Sequence, residues 1–517
     1  MIAKNFHKSK GSVTIFLSLS ISLIVSLVLY TLESCHLDAL VARSEGITYL
    51  SLDSLFGQYC LPLFENYGLF CLNEQGLDLE NEIKKYADQN SRTPTSILNN
   101  SASFLNLQVN NVDITSVKYI TDDDAVAFVD QICDYAKYME IAYFAEEICD
   151  YSNTSRPKVF STSEAGTLEF DFDSIDQSTI DALKEYDPNL TLDNDNELSA
   201  DSSTNSNSSS NSNSNTNEQP NLQLDKDFID NAAAYIGHII KNGLLSFLVD
   251  DPEKVSTDTV DKATLPSVTC QLTQDGINNT YGYYEDAGET TLNKAIFCEY
   301  VYHTFGCYTE PDTDTYLKYP IEYIIHGDSS DDVNFLNCCG YILNLRLACN
   351  LAYLFSDPDK YKDAQELAKY AESIPVPGAK YIALITILTL WATAEGLIDV
   401  RDMVNDKKVP LVKSKSTWTL ELSDLATFSS FTESKNPGTS GISYKRYLEL
   451  VLATENNISL YFRTLDAIQM KICHSYNEDF RISKCVYSVC VDISYSLPYL
   501  FLPKKVIYKS SGSHRYK

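Results

Sequence analysis

Methionine, tryptophan and histidine are scarce in this chain, at four, two and seven residues in 517. The histidines stand at 7, 36, 238, 303, 326, 474 and 514, in no zinc-type spacing, and no two cysteines form a CxxC. No Walker loop, GxGxxG, GxSxG, HExxH or EF-hand pattern occurs, so the usual phosphate, dinucleotide, hydrolase and calcium motifs are missing. Basic residues are few: 40 Lys and Arg stand against 71 Asp and Glu, for a net charge of −31. So acidic a surface repels nucleic acid and anionic lipid, and no nucleic-acid partner is expected. No cofactor, metal site or catalytic residue is assigned, and the chain is expected not to be an enzyme.

One stretch lacks charge altogether. Gly11 to Leu32 holds none, and at about 1.5 Å per residue it spans about 33 Å, enough to cross a bilayer core. A secretory signal would have a shorter apolar region and a small-x-small site. Lys4, Lys8 and Lys10 precede the run; Glu33 and Asp38 follow it. The positive-inside bias then sets the N-terminus in the cytoplasm and the bulk of the chain outside the cell membrane, on a retained single-pass signal anchor. Two processed forms stay open. "LESC" has the outer positions of a lipobox at Leu32 and Cys35, and "KGS" at Lys10–Ser12 looks like a prepilin cleavage site after Gly11. Phe16 stands where a pilin has its glutamate.

Helical periodicity continues past the apolar run. Leu37, Leu40, Val41, Ile47, Leu52, Leu55 and Tyr59 share one sector, while Asp38, Arg43, Glu45 and Asp53 fall outside it. A lipid-embedded half that continues as a half-buried stalk is the layout of pilin-like proteins. Gly46 weakens this helix by about 1 kcal/mol and marks a place for a kink.

Length implies two or three domains, and 44% hydrophobic residues supply a core. The expected class is α+β: a transmembrane helix continuing into an amphipathic stalk, then a mostly helical exported head with antiparallel strands. The segments are a cytoplasmic basic segment at 1–10, the span at 11–32 and an N-terminal exported α+β region at 33–190. A Ser/Asn-rich linker follows at 191–220, then a helical C-terminal region at 221–503 ending in a β-strand, and a basic, mobile tail at 504–517. "FLNLQVNNVDITSVKYI", from Phe104, reads as a strand with partial alternation. The next helix, to Ile148, is capped by Thr121 or Asp122. Gly243 breaks a helix, Tyr381–Ala394 is a core helix too short for a second span, and one helix runs from Tyr444 to His474. Cys485–Leu497 alternates cleanly, with Cys485, Tyr487, Val489, Val491, Ile493, Tyr495 and Leu497 on the apolar face. The fourteen cysteines are read as buried free thiols.

Two polar groupings stand out. Glu299 and His303 form an i,i+4 pair. Glu395, Asp399 and Asp402 share one helix face with Arg401 beside them; such carboxylates can bind a cation or exchange protons, but an ion pair with Arg346 is the expected arrangement.

"KGSVTIFL" with "TLES", "DSLFGQY" and "ENYGLF" resembles the N-terminal signature of an uncharacterised family in Gram-positive, mostly anaerobic bacteria. "EYIIHG", "NLRLACNLAYLFSD" and "WATAEGLIDVRDMVNDKKVPLVKSKSTW" resemble its C-terminal part. Members look like Tad-type pilus or secretion components, similar to TadE- and TadG-like pseudopilins. The resemblance implies one span, an exported head, no enzymatic activity and no catalytic residues to carry over. The expected role is an accessory or minor pseudopilin-like component of a Tad-like pilus or secretion system. Its partners are then the lipid bilayer and Tad-like subunits, with Thr14, Ser18, Ser20, Ser22 and Ser26 letting neighbouring helices approach. The alternatives are a membrane-tethered cell-wall or surface binding module and an ectoenzyme built on Glu395, Asp399 and Asp402.

Overall fold

The computed structural model describes residues 11–91, 105–138, 226–270, 291–373, 378–430 and 441–516. The basic segment 1–10, the Ser/Asn-rich linker 191–220 and the helix continuation beyond Tyr138 lie outside the described residues. The class is α+β. The chain forms two compact units that do not follow its linear order: Met1–Met139, Ala263–Thr290 and Ile468–Lys517 make the first, and Glu140–Lys262 with Thr291–Ala467 the second. The regions expected at 33–190 and 221–503 are therefore interleaved.

In the first unit, α1 (Gly11–Phe56) is one unbroken helix of 46 residues. It passes through Gly46, where a kink was expected, because the helix carries no proline and is leucine-rich. Its apolar first part is exposed from Val13 to Leu32 except at the half-buried Ser20. Its second part buries Leu40, Ile47, Leu52 and Leu55, with Leu37 and Val41 half-buried beside them. Each full burial of this kind contributes about 1.5–3 kcal/mol. The partners are α2 (Leu79–Ser91) and one face of a four-stranded antiparallel sheet.

The sheet contains β1 (Leu72–Asn73), β2 (Gln108–Tyr119), β3 (Cys485–Pro498) and β4 (Lys505–Arg515). β3 is central. β2 pairs along one edge; β4 and the short β1 share the other. Val489, Val491, Ile493, Tyr495 and Leu497 are buried, and Ser488, Cys490, Asp492, Ser494 and Ser496 lie on the more open face. This alternation of a half-buried strand matches the sequence pattern. β4 corrects the expectation of a mobile tail at 504–517: eleven residues pair in unbroken register with β3, from Pro498↔Lys505 to Ser488↔Arg515. β2 shows why its alternation looked partial. Register shifts fall between Val109 and Asn111, Ile114 and Ser116, and Lys118 and Tyr119, so its inward residues recur at intervals of two or three. After β2 comes α3 (Val126–Tyr138), which neither Thr121 nor Asp122 caps: the Asp122 carboxylate accepts from the Tyr119 N–H of the preceding strand at 2.8 Å.

The second unit is helical. α4 (Lys226–His238) leads through a π turn, Ile239–Gly243, into Leu244–Leu248; at the expected break Gly243 leaves helical geometry, with φ −133° and ψ 13°. Its other main helices are α5 (Thr291–Thr304), α6 (Asp331–Ser356), α7 (Ala379–Val404) and α8 (Tyr444–Leu452). The expected 444–474 helix is two, α8 and α9 (Asn457–Ser475), separated at 453–456; α9 belongs to this unit as far as Ala467. α6 and α7 pack on each other. Both are long and apolar enough to cross a membrane by length and composition, but 56% and 72% of their most apolar windows are buried within the protein, against 0% for α1. That contrast separates two core helices from a span. All thirteen cysteines among the described residues are free, most of them buried; Cys149 lies outside those residues.

Candidate functional site

Two places concentrate interactions. The first is the mount of α1 in the first unit, where β4 runs alongside α1 in the same direction. Glu33 accepts from the Leu500 and Phe501 N–H groups at 2.8 and 3.1 Å. Further along, the Tyr508 hydroxyl donates to Glu45 at 2.8 Å. Thr48 shares hydrogen bonds with the Tyr495 and Ser510 hydroxyls at 2.9 and 3.0 Å. Burial pushes the Tyr495 phenol up to about 12, so it stays a neutral partner. His514 lies 3.0 Å from Asp53, and the Tyr516 hydroxyl donates to the Phe56 carbonyl at 2.6 Å. Gly512 is required here: a Cβ would sit 2.7 Å from the Thr48 methyl and 3.3 Å from Leu52. The helix is thus fastened along its whole second half. Within the span, Ser18 and Ser26 donate to carbonyls three residues back, which satisfies them inside the helix itself.

The second place is buried between α6 and α7. Gly396 lets these helices approach, for a Cβ there would meet Leu343 at 3.0 Å. Arg346, fully buried, reaches across: its Nε and Nη2 lie 3.0 and 2.9 Å from Asp399 Oδ2. Its Nη1 donates to the Pro410 and Leu411 carbonyls and the Tyr447 hydroxyl, and Nη2 to Asn350. Lys413 Nζ lies 2.7 Å from Glu395 Oε1 and 2.6 Å from Asp399 Oδ1. Glu395 also accepts from the Thr419 and Leu420 N–H groups, both at 2.9 Å. Burial would lower the Arg346 and Lys413 cations; Asp399 for Arg346, and Asp399 with Glu395 for Lys413, outweigh it and hold both above their ordinary values. Burial pushes Glu395 up against the pull of Lys413.

Two carboxylates and two cations cancel here, and the groups that complete the network come from the segment 407–420 laid over the helices. Asp402 is turned to Lys407 at 3.1 Å. Arg401, expected beside the carboxylates, points away, pairing with Asp250 at 2.6 Å and the Phe247 carbonyl. Sequence reasoning found Arg346 but missed Lys413 and Asn350; "KKVPLVKSK" carries no helical phase that would tie a lysine to α7. With its oxygens taken up by buried cations and backbone N–H groups, this cluster fastens a loop to a core and offers no open coordination position.

The Glu299–His303 pair is real, at 3.1 Å, and larger than expected. Arg446 joins Glu299 at 2.7 Å and also contacts Glu449. Burial, then the adjacent Glu299, push Glu449 up to about 9, so one carboxyl of the pair keeps a proton. Burial pushes Glu299 up as well, but hydrogen bonds from Glu449 and Arg446 outweigh it and leave Glu299 below its ordinary value. Nearby in the unit Glu322 is fully buried. One oxygen accepts from the Tyr308 N–H at 2.8 Å and the Tyr444 hydroxyl at 3.1 Å, and burial lifts the acid to about 7. Among the described residues no group of three or more His, Cys, Asp or Glu is placed to hold a metal ion. A hollow lined by Lys118, Tyr119, Asp122 and Tyr487 has a cavity volume of about 10 Å³, far smaller than a usual ligand site.

The fold and these clusters define an α+β protein whose long N-terminal apolar helix points to a membrane anchor. The chain belongs to the family described as "Family of unknown function (DUF5702)", whose model matches residues 223–497. That match takes in the buried ion network and nearly all of β3, but not α1, β2 or β4. No curated protein and no solved structure matches the chain.

Proposed function

We propose that this chain is a single-pass structural protein of the cell membrane, with residues 1–10 in the cytoplasm and the chain after Leu32 outside. Within that reading it serves as an accessory or minor pseudopilin-like component of a Tad-like pilus or secretion system. The observation that carries the proposal is α1: one uninterrupted helix whose apolar first half is bare and whose second half is fastened to an antiparallel sheet. A rigid connection of this kind transmits position from the membrane plane to the body, which suits a scaffold better than a tether. The resemblance of "KGSVTIFL" and "TLES" to an uncharacterised family whose members look like Tad-type components supports the assembly part. The carboxylates on which the ectoenzyme reading relies are paired with Arg346, Lys413 and Lys407, an arrangement that suits a structural role.

The test is made on the full chain in a bacterial host. Alkaline carbonate should leave it in the membrane, and protease added to intact cells should remove the body; a body protected from external protease overturns the orientation. Photocrosslinkers stepped through Thr14–Ser26 should capture neighbouring helices with a helical period, and captures that are uniform or absent overturn assembly through this helix.

A further inference from the structure

The turn between β3 and β4 carries an exposed apolar tip. Leu500, Phe501 and Leu502 are 37%, 47% and 54% exposed in an otherwise acidic protein. The turn is closed by the Tyr499 N–H donating to the Lys504 carbonyl at 3.0 Å, and Lys504 and Lys505 follow at once. Its height is fixed by Glu33, which accepts from the backbone N–H groups of Leu500 and Phe501. Glu33 is the first charged residue after the uncharged run Gly11–Leu32. The tip is therefore held at the end of the uncharged run, one residue past Leu32 and three past the exposed Tyr30 in sequence.

We propose that the Tyr499–Lys505 turn is a second membrane contact, seated in the outer interfacial layer of the bilayer that α1 crosses. Three features fit this occupant. Apolar side chains flanked by aromatic rings and lysines are the composition of an interfacial segment, whose lysines reach up to headgroup phosphates. The turn is bonded to Glu33, the residue that follows the exposed Leu32 at the end of the apolar run of α1. The two lysines give this spot a local positive charge on a chain of net −31, so anionic headgroups are repelled by the body but accepted at the tip. Glu33 then acts as a latch that neutralises two backbone donors at the membrane boundary and sets how deeply the turn sits. Two contacts, the helix and the turn, fix the tilt of the first unit on the membrane, which one helix alone leaves free.

This inference rests on α1 being a span, and the experiment separates the two. The full chain is placed in vesicles of phosphatidylcholine and phosphatidylglycerol bearing alkyne-tagged acyl chains. The photoreactive p-benzoyl-phenylalanine is introduced singly at Leu23, Phe501, Leu502 or Tyr476. Tyr476 is exposed and hydrogen-bonded to Asn66, beyond the far end of α1. Lipid adducts are expected at positions 23, 501 and 502, at least about tenfold above those at 476. Adducts at 23 without adducts at 501 and 502, or adducts at 476 equal to those at 501, overturn the turn's membrane contact and leave the span standing. Capture of a second copy of the chain at 501 in place of lipid also overturns it. Absence of adducts at 23 overturns the span and the inference together.

Discussion

Asp399 shows what a single residue does in the second unit: it is shared by Arg346 and Lys413, so it ties α6 and the 407–420 segment to α7. Removing one member of such a buried network leaves an uncompensated charge. Lys413→Met is expected to lower stability by about 3–5 kcal/mol in urea unfolding. Adding Glu395→Gln should recover part of that loss, because a neutral amide needs no counter-charge; if the two losses simply add, the pair is not coupled. Glu322 makes a prediction with a sign. Its acid is near 7 when folded and near the ordinary carboxylate value of 4.5 when unfolded. The proton-bound folded form is favoured at low pH, so its contribution is fully present below about 4.5 and is lost as pH rises through about 7. Glu322→Gln should therefore gain thermal stability relative to the parent at pH 8 compared with pH 5; a difference independent of pH would show that Glu322 titrates normally. Arg346–Asp399 was legible because buried carboxylates demand a cation. Lys413 and Glu449 were not, since a loop lysine and a carboxyl from a different helix leave no periodic trace in the chain.

At the level of elements, α1 and β3 were the most readable parts, the one through its missing charge and its stripe, the other through strict alternation. β2 was blurred by three register shifts: the first two add a residue to β2 and turn the following side chain to the other face, and at the third the extra residue, Tyr487, lies in β3. β4 was misread because "KVIYKSSGSHR" is polar and basic: it lies at a sheet edge, and its small residues are there to admit α1 closely. Gly512→Ala is expected to cost about 1–3 kcal/mol, since its Cβ would lie 2.7 Å from the Thr48 methyl. Thr48→Ser, which keeps the hydroxyl and removes that methyl, should relieve the cost in the double variant. Amide exchange in Lys505–Arg515 is the readout, with faster exchange in the single variant than in the double.

For the molecule as a whole, the α+β class and the long apolar N-terminal helix could be read from composition and periodicity. The division into units could not, because sequence gives no sign that residues 468–517 return to the first 139. The thiols offer a check on topology. Cys35 is the exposed cysteine among the described residues and sits three residues beyond Leu32. A membrane-impermeant maleimide applied to intact cells should modify the Cys35 peptide, read by mass spectrometry, while Cys338, Cys339 and Cys485 react only after unfolding. Labelling of Cys35 that requires broken cells would place the body on the cytoplasmic side.

Every strand of the sheet depends on β3, yet β3 is made late. The ribosome releases α1, β1 and β2 long before residues 485–498, so for most of synthesis β2 has an open edge with nothing to bond. Closure must wait for a pairing that spans nearly four hundred residues, as Gln108↔Ser496 does, and pairings so distant in sequence form slowly. A prematurely ended product would keep its membrane helix but never complete the sheet, and its unpaired strand would mark it for proteolytic quality control.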